Sequence, residues 1–258
     1  MKPEERRNRI AELVRQSGRV AVEELAETLG TSRETVRRDL TLLSNQGTLR
    51  KVHGGATTAQ TASESPLAER RAQARTEKMM IGRTAAALFK SGDSLLIDSG
   101  TTTIFFAEQL ALRGPFTVIT NSTLVAQELW ASPQRGNIHL LGGSYFGDGY
   151  EILGPQVVEQ IQKVHADHAV LTVGAVDPAG RIMDFNGDEA YVARAMIASA
   201  REVTVLADAS KLGRHALFQV CGPESVDRLI TNKTPDPILG NVLKASGVEV
   251  IIAASDPL

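Results

Sequence analysis

The residues with the clearest chemical potential lie where apolar runs stop. "LLIDSGTTT" ends its run in Asp98, Ser99, Gly100, Thr101 and Thr102. Glycine lets the backbone approach an anion, the hydroxyls donate, and the N-terminus of a following helix offers free N–H groups to a phosphate. "FTVIT" ends in Asn121 and Ser122, "IHLLGG" in Gly142 and Gly143, and "VTVLAD" in Asp208, with Ser210 and Lys211 next. The lysine supplies a cation for a phosphate or sugar oxygen. Serine and threonine equally cap ordinary helices, so no single stretch decides. Together these polar ends point to a small, anionic, hydroxyl-rich ligand.

A second concentration of chemistry is "TSRETVRRDL", with three arginines in ten residues of a chain whose formal net charge is −2. At about 100° per residue, Val36, Leu40 and Leu43 share one helix face, while Glu34, Arg38 and Thr41 point the other way, flanked by Thr35 and Arg37. Such a face enters a DNA major groove, where arginine bridges guanine O6 and N7 and arginine or threonine anchors phosphates. The alternative is a solvated face with Glu34 and Arg38 as an i, i+4 pair. The following "GTLRKVHGGA" favours DNA: a turn, a β-prone stretch with Arg50 and Lys51, then Gly54 and Gly55, suits the basic hairpin of a winged helix-turn-helix. His53 is placed either to touch a phosphate or to pack within the wing. The expected contacts to double-stranded DNA are therefore Thr31, Ser32, Arg33, Glu34, Thr35, Arg37, Arg38, Arg50, Lys51 and His53.

Periodicity identifies the elements that position these residues. "EERRNRIAELVRQSG" puts Ile10, Leu13 and Val14 on one helical face, with Val20 across the turn, and Gly18 stops it. "VEELAETLG" does the same with Leu25, Ala26 and Leu29, breaking at Gly30. In "TSRE", Thr31 precedes Glu34 by three residues, the capping-box pattern, so a third helix is expected from Ser32. Two short helices separated by Gly30, Thr31 and Ser32 form a helix-turn-helix. Beyond the amphipathic "EKMMIGRTAAALF", β-type runs such as "SLLID", "FTVIT", "HAVLTV" and "VTVLAD" alternate with helical patterns such as "TTIFFAEQLA" and "STLVAQELW". This is the α/β class, a mainly parallel sheet covered by helices on both faces, whose ligands bind beyond the carboxyl ends of the strands.

Charge supports two parts. Met1 to Gly55 carries 11 Lys/Arg against 8 Asp/Glu, and the remainder 17 against 22. Between them "ATTAQTASESPLAERRAQART" is rich in Ala, Thr and Ser and lacks apolar periodicity. The expected organisation is a winged helix-turn-helix domain over 1–56, a linker over 57–75 and a larger α/β domain over 76–258. Within the linker, Glu69, Arg70 and Arg71 of "LAERRAQ" are either a coupling element or an ordinary charged stretch.

At 258 residues, 42% hydrophobic and 22% charged, the chain can bury a sizeable core. No apolar run approaches the roughly 18 residues that span a bilayer, and "MKPEERRNRI" lacks a secretory apolar region; a cytoplasmic protein with no membrane partner is expected. A single cysteine, Cys221, excludes an intramolecular disulfide and a cysteine-based zinc site. Its "QVCGPE" setting offers no neighbouring base for nucleophilic work. No metal and no cofactor are expected.

The N-terminal "RRNRIAELVRQSGRVAVEELAETLGTSRETVRRDLTLLSNQGTLRKVHGGA" resembles the signature of the DeoR-type transcriptional regulators, through its helix spacing, its "RRDL" core and its "HGGA" wing. The resemblance continues along nearly all of the chain. It implies a C-terminal effector domain similar to ribose-5-phosphate isomerase that responds to phosphorylated sugars. The family's "D-x-G-T-T" loop falls on Asp98, Gly100, Thr101 and Thr102, its "TN" on Thr120 and Asn121, its "GG" on Gly142 and Gly143, and its "D-x-S-K" on Asp208, Ser210 and Lys211. Its "E-A-x-V-x-R-A-M" helix appears as "EAYVARAM", with Glu189 and Arg194, and Asp184 just before it is expected to face the sugar. The implied function is a repressor of a carbohydrate-catabolism operon, acting as a homo-oligomer, dimer or tetramer, whose operator binding is controlled by a phosphorylated sugar.

The alternative is a sugar-phosphate isomerase-like enzyme with an accessory DNA-binding domain. Isomerisation needs a carboxylate base with electrophilic help at the carbonyl, and Glu189 aligns with the isomerase base. The Gly-rich loop and lysine that precede that glutamate in the isomerases are replaced here by "RIMDFNGD", so binding without turnover, and no catalytic residue, is expected. Tyr145, Phe146 and Tyr150 in "GGSYFGDGYEILG" either close over the ligand or form a surface loop packing on itself.

Overall fold

The computed structural model describes residues 3–17, 19–45, 48–52, 54–58 and 66–254. The chain divides into two units, Met1–Ser63 and Glu64–Leu258.

The first unit runs α1 (Pro3–Ser17), β1 (Arg19–Ala21), α2 (Val22–Thr28), α3 (Arg33–Asn45), β2 (Leu49–Val52) and β3 (Gly55–Thr58). The helical stripes expected from spacing converge on one core: Ile10 and Val14 of α1, Leu25 of α2, and Val36, Leu40 and Leu43 of α3 are buried together. Val20, Leu49 and Ala56 join them from the strands. Gly30, at φ +59°, ends α2 in the left-handed conformation. The turn it makes lets Thr31 N donate to the Ala26 carbonyl at 3.0 Å. The cap of α3 differs from the expected capping box. Ser32 is the capping residue, its Oγ accepting from Thr35 N at 3.1 Å, and α3 begins one residue later than expected, at Arg33. The wing is a hairpin of β2 and β3, as expected, with β1 adding a third strand in the order β1-β3-β2. Gly55 makes that addition possible, since a Cβ there would meet the Val20 carbonyl oxygen at 2.2 Å.

The second unit begins with α4 (Leu67–Ala72) and α5 (Arg75–Ala86), followed by β4 (Ser94–Ile97), α6 (Thr101–Leu110), β5 (Thr117–Thr120), α7 (Thr123–Trp130), β6 (Asn137–Leu140), β7 (Ser144–Phe146) and β8 (Glu151–Leu153). It continues with α8 (Pro155–Ile161), β9 (Ala166–Thr172), β10 (Ala175–Val176), β11 (Ile182–Asp184), α9 (Gly187–Ala198), β12 (Ala200–Leu206), β13 (Phe218–Cys221), β14 (Arg228–Thr231), α10 (Pro237–Ala245) and β15 (Glu249–Ile252). Residues 66–75, expected as linker, are thus α4 and the turn into α5; the rest of that stretch beyond Thr58 lies outside the described residues.

Seven strands form one parallel sheet in the order β15-β14-β12-β9-β4-β5-β6. Alternate residues serve opposite faces. Leu95, Ile97, Val118 and Val170 pack on one side with Ile81 of α5, Phe106 of α6 and Val125 of α7. Leu96, Ala169, Leu171 and Val205 pack on the other with Val157 of α8, Met196 of α9 and Leu239 of α10. Both faces are covered, which is why the strands read as continuous apolar runs. Two antiparallel additions were not legible in the sequence: the β7–β8 hairpin and a small sheet of β10, β11 and β13. No helix among the described residues is long and apolar enough to cross a membrane.

Candidate functional site

From β4 the chain winds outward through β5 and β6, then returns to place β9 on the other side of β4. Crevices of this kind, beyond the carboxyl ends of the strands where the winding reverses, are where such sheets bind ligands. A cavity lies there, about 600 Å³ including its open mouth. Asp98, Ser99, Thr101 and Thr102 line it after β4, Thr172 at the end of β9 with Val173 and Gly174 beyond it, and Ala207, Asp208, Ser210 and Lys211 after β12. Asp184 at the end of β11 and Glu189 in the first turn of α9 face it as well. Arg70, Gln73, Ala74 and Lys78 complete the wall from α4 and α5.

Gly100 shapes the turn from β4 into α6. It precedes α6 at φ +146° and leaves that helix without a side-chain cap, so the first N–H groups of α6 remain for an anion. Asp208 Oδ1 accepts from Ser210 N at 2.9 Å, which fixes the turn carrying Lys211. Lys78, though buried, donates from Nζ to the Arg70 carbonyl at 2.5 Å. Asp184 Oδ1 accepts from Phe185 N at 2.6 Å and Asn186 N at 3.2 Å, which orients it at the head of α9.

Burial raises the Asp98 carboxyl well above its ordinary value, and the nearby Glu151 and Asp184 carboxylates push it the same way, against the bond donated by Ser99 N. Glu151 stands behind the wall: Ser99 Oγ donates to its Oε2 at 2.5 Å. The arrangement offers cations and helix N–H groups for a phosphate, and carboxyl groups for several hydroxyls.

Of the residues expected at this site, Asn121 sits just behind the wall, wholly buried, its Nδ2 3.4 Å from Ser99 Oγ. Gly142 and Gly143 do not line the cavity. Gly142 exchanges hydrogen bonds with the Gln160 side chain of α8, and a Cβ on Gly143 would meet the Leu153 carbonyl oxygen of β8 and Val157 Cγ2 of α8, each at 2.9 Å, so both are held against neighbouring elements. Tyr145, Phe146 and Tyr150 are exposed on the β7–β8 hairpin and do not line the cavity either. Cys221 is half-buried, and burial together with Glu224 pushes its thiol up to about 12, which leaves no thiolate for nucleophilic attack. No group of His, Cys, Asp and Glu among the described residues is arranged to hold a metal ion.

In the first unit, Ser32, Arg33, Glu34, Arg37 and Arg38 are exposed along the outer side of α3, with Thr31 and Thr35 half-buried at its start. Arg38 Nε and Arg37 Nη1 lie 3.7 and 4.0 Å from the Glu34 carboxylate. Lys51 of the wing donates to Thr41 Oγ1 at 3.2 Å, so this cation lies beside the same helix face. The neighbouring Asp39 faces inward, where Arg6 of α1 donates to it at 2.6 Å. His53 and the Arg50 side chain lie outside the described residues.

The DeoR-like helix-turn-helix domain matches residues 6–62, and the DeoR C terminal sensor domain matches residues 73–233. The chain belongs to the DeoR family of helix-turn-helix transcriptional regulators. It is 31% identical to the transcriptional repressor CsqR of Escherichia coli, over 97% of this chain and 96% of that protein. It is 33% identical to the glycerol-3-phosphate regulon repressor of Haemophilus influenzae, over 98% of each. The transcriptional repressor GlcR of Bacillus subtilis is likewise 33% identical, over 99% of this chain and 98% of its own. Among solved structures, ribose 5-phosphate isomerase A of Methanocaldococcus jannaschii resembles 54% of this chain, and 55% of its own, at 16% identity and a TM-score of 0.40.

Within this DeoR-family sensor domain, sequence reasoning missed Lys78, Arg70 and Glu151. Lys78 carried a signal: it shares the stripe of Ile81, Gly82 and Ala85, all buried on α5, and a lysine on a buried stripe must face a polar partner. Arg70 was masked by the linker reading, and nothing in "GYEILG" marks Glu151.

Proposed function

We propose that this DeoR-family member is a repressor of a carbohydrate-catabolism operon, whose grip on operator DNA is governed by a phosphorylated sugar in the β4/β9 cavity. The observation that carries this reading is the meeting, at one crevice, of the uncapped α6 N-terminus, the cations Lys78 and Lys211, and the carboxyl groups of Asp98, Asp184 and Asp208. The phosphate takes the α6 N–H groups and the lysines; the hydroxyls take the carboxyl groups, with Ser99, Thr101, Thr102 and Glu189 completing the pocket and Asn121 supporting Ser99 from behind. In the first unit, Arg37 and Arg38 read base edges or phosphates from α3, aided by Thr31, Ser32, Arg33, Glu34 and Thr35, while the wing residues Arg50, Lys51 and His53 track the backbone. Two copies or a multiple, acting in the cytoplasm, span half-sites about 10 bp or a multiple apart. Effector and operator then compete by differential affinity for two arrangements of the same chain.

The reading is tested with Lys211→Ala. Operator affinity should stay at the wild-type level while release by the sugar phosphate is lost; equal loss of both would contradict separate sites.

A further inference from the structure

The cavity wall includes the helix with which the sensor unit begins. α4 is six residues long and starts within a few residues of the boundary at Ser63. A helix so short has no stability of its own, so its position depends on what holds it. Leu67 anchors it in the core beside α5 and α6. Arg71 Nη2 donates to Glu108 Oε1 of α6 at 3.1 Å, and its guanidinium carbon lies 5.8 Å from the Phe105 ring centre. At its C-terminal end, the Arg70 carbonyl accepts from Lys78 Nζ at 2.5 Å. The turn into α5 passes through Ala74 at φ +49°, ψ +37°, a left-handed conformation that strains a residue with a Cβ. Arg70, Gln73, Ala74 and Lys78 all face the cavity.

We propose that α4 is the element that reports the cavity's occupancy to the DNA-binding unit. The inference rests on the effector reading above. A phosphate in the cavity offers the Lys78 ammonium a charged acceptor that competes with the Arg70 carbonyl, and a charge-assisted bond to a phosphate is stronger than one to a carbonyl. Once Lys78 turns to the phosphate, the Arg70 carbonyl loses this bond to α5, the strained turn at Ala74 relaxes, and α4 re-seats. The docked form of α4 is the one that holds operator DNA, and the re-seated form is the one that holds effector.

The test combines hydrogen–deuterium exchange and calorimetric titration of the full chain with glycerol 3-phosphate, ribose 5-phosphate, fructose 6-phosphate and inorganic phosphate. Binding of at least one organic phosphate should speed exchange at the Arg70 and Gln73 amides, which donate within α4 to the Pro66 and Glu69 carbonyls. Leu67→Ala and Arg71→Gln alter the hold on α4 from outside the cavity wall. Each should tighten effector binding about fivefold, while effector-free operator affinity changes less than about twofold because the docked form stays in the majority. Binding with unchanged α4 exchange, or an effector Kd unaltered in both variants, would overturn the role of α4 and leave the effector site standing. Failure of every organic phosphate to bind would remove both.

Discussion

Thr172 leaves no room for a side chain at Gly100: a Cβ there would sit 2.1 Å from Thr172 Cγ2, and the backbone is at φ +146°. This is the physical content of the glycine in "DSGTTT", where the end of β9 presses on the turn that opens α6. Gly100→Ala should therefore destabilise the sensor unit by about 2–4 kcal/mol through overlap and backbone strain, seen as a lower urea midpoint. Adding Thr172→Ser, which removes the methyl, should recover the steric share. Equal instability of the single and double variants would show that the clash is not the cause.

Two neighbours on α3 should separate stability from recognition. Arg38 points outward, so Arg38→Ala should leave the thermal midpoint of the first unit within the equivalent of about 0.5 kcal/mol. It should weaken operator binding by about 1–3 kcal/mol. Asp39 is buried against Arg6, so Asp39→Asn should cost stability by about 1–3 kcal/mol before any effect on DNA is seen. Reversed outcomes would mean that α3 faces DNA with its other side.

Asp98 gives the sensor unit a pH signature. Burial first, then Glu151 and Asp184, raises its carboxyl well above the ordinary value of 3.8. The folded chain therefore binds a proton there that the unfolded chain releases, and the stabilisation is complete below the ordinary value and lost as pH rises through the raised one. Asp98→Asn, which mimics the neutral acid, should leave stability nearly unchanged in acid and raise it above the folded-state value. Thermal midpoints across pH check this; a variant less stable than wild type at every pH would contradict it.

Most of the architecture was legible because parallel strands buried on both faces read as continuous apolar runs and the α3 stripe has the helical period. The strand-end loops of Asp98, Gly100, Asp208 and Lys211 were equally readable, since their chemistry is local. What was not readable depends on chain reversal. Lys78 and Arg70 precede β4 in sequence and reach the cavity because α4 and α5 fold back beside α6. Glu151 reaches Ser99 because the β7–β8 hairpin crosses behind Asn121. Gly142 and Gly143 look like an anion loop in sequence because close backbone approach to a ligand and the tight packing found at Gly143 both call for glycine.

The central claim is tested most directly by fluorescence anisotropy of the DNA upstream of the gene for this chain, titrated with the protein and then with a panel of phosphorylated sugars. Tight, salt-sensitive binding reversed by one sugar phosphate, and by no unphosphorylated sugar, is the predicted result. Affinity no greater than for random DNA, or operator binding indifferent to every member of the panel, would contradict it.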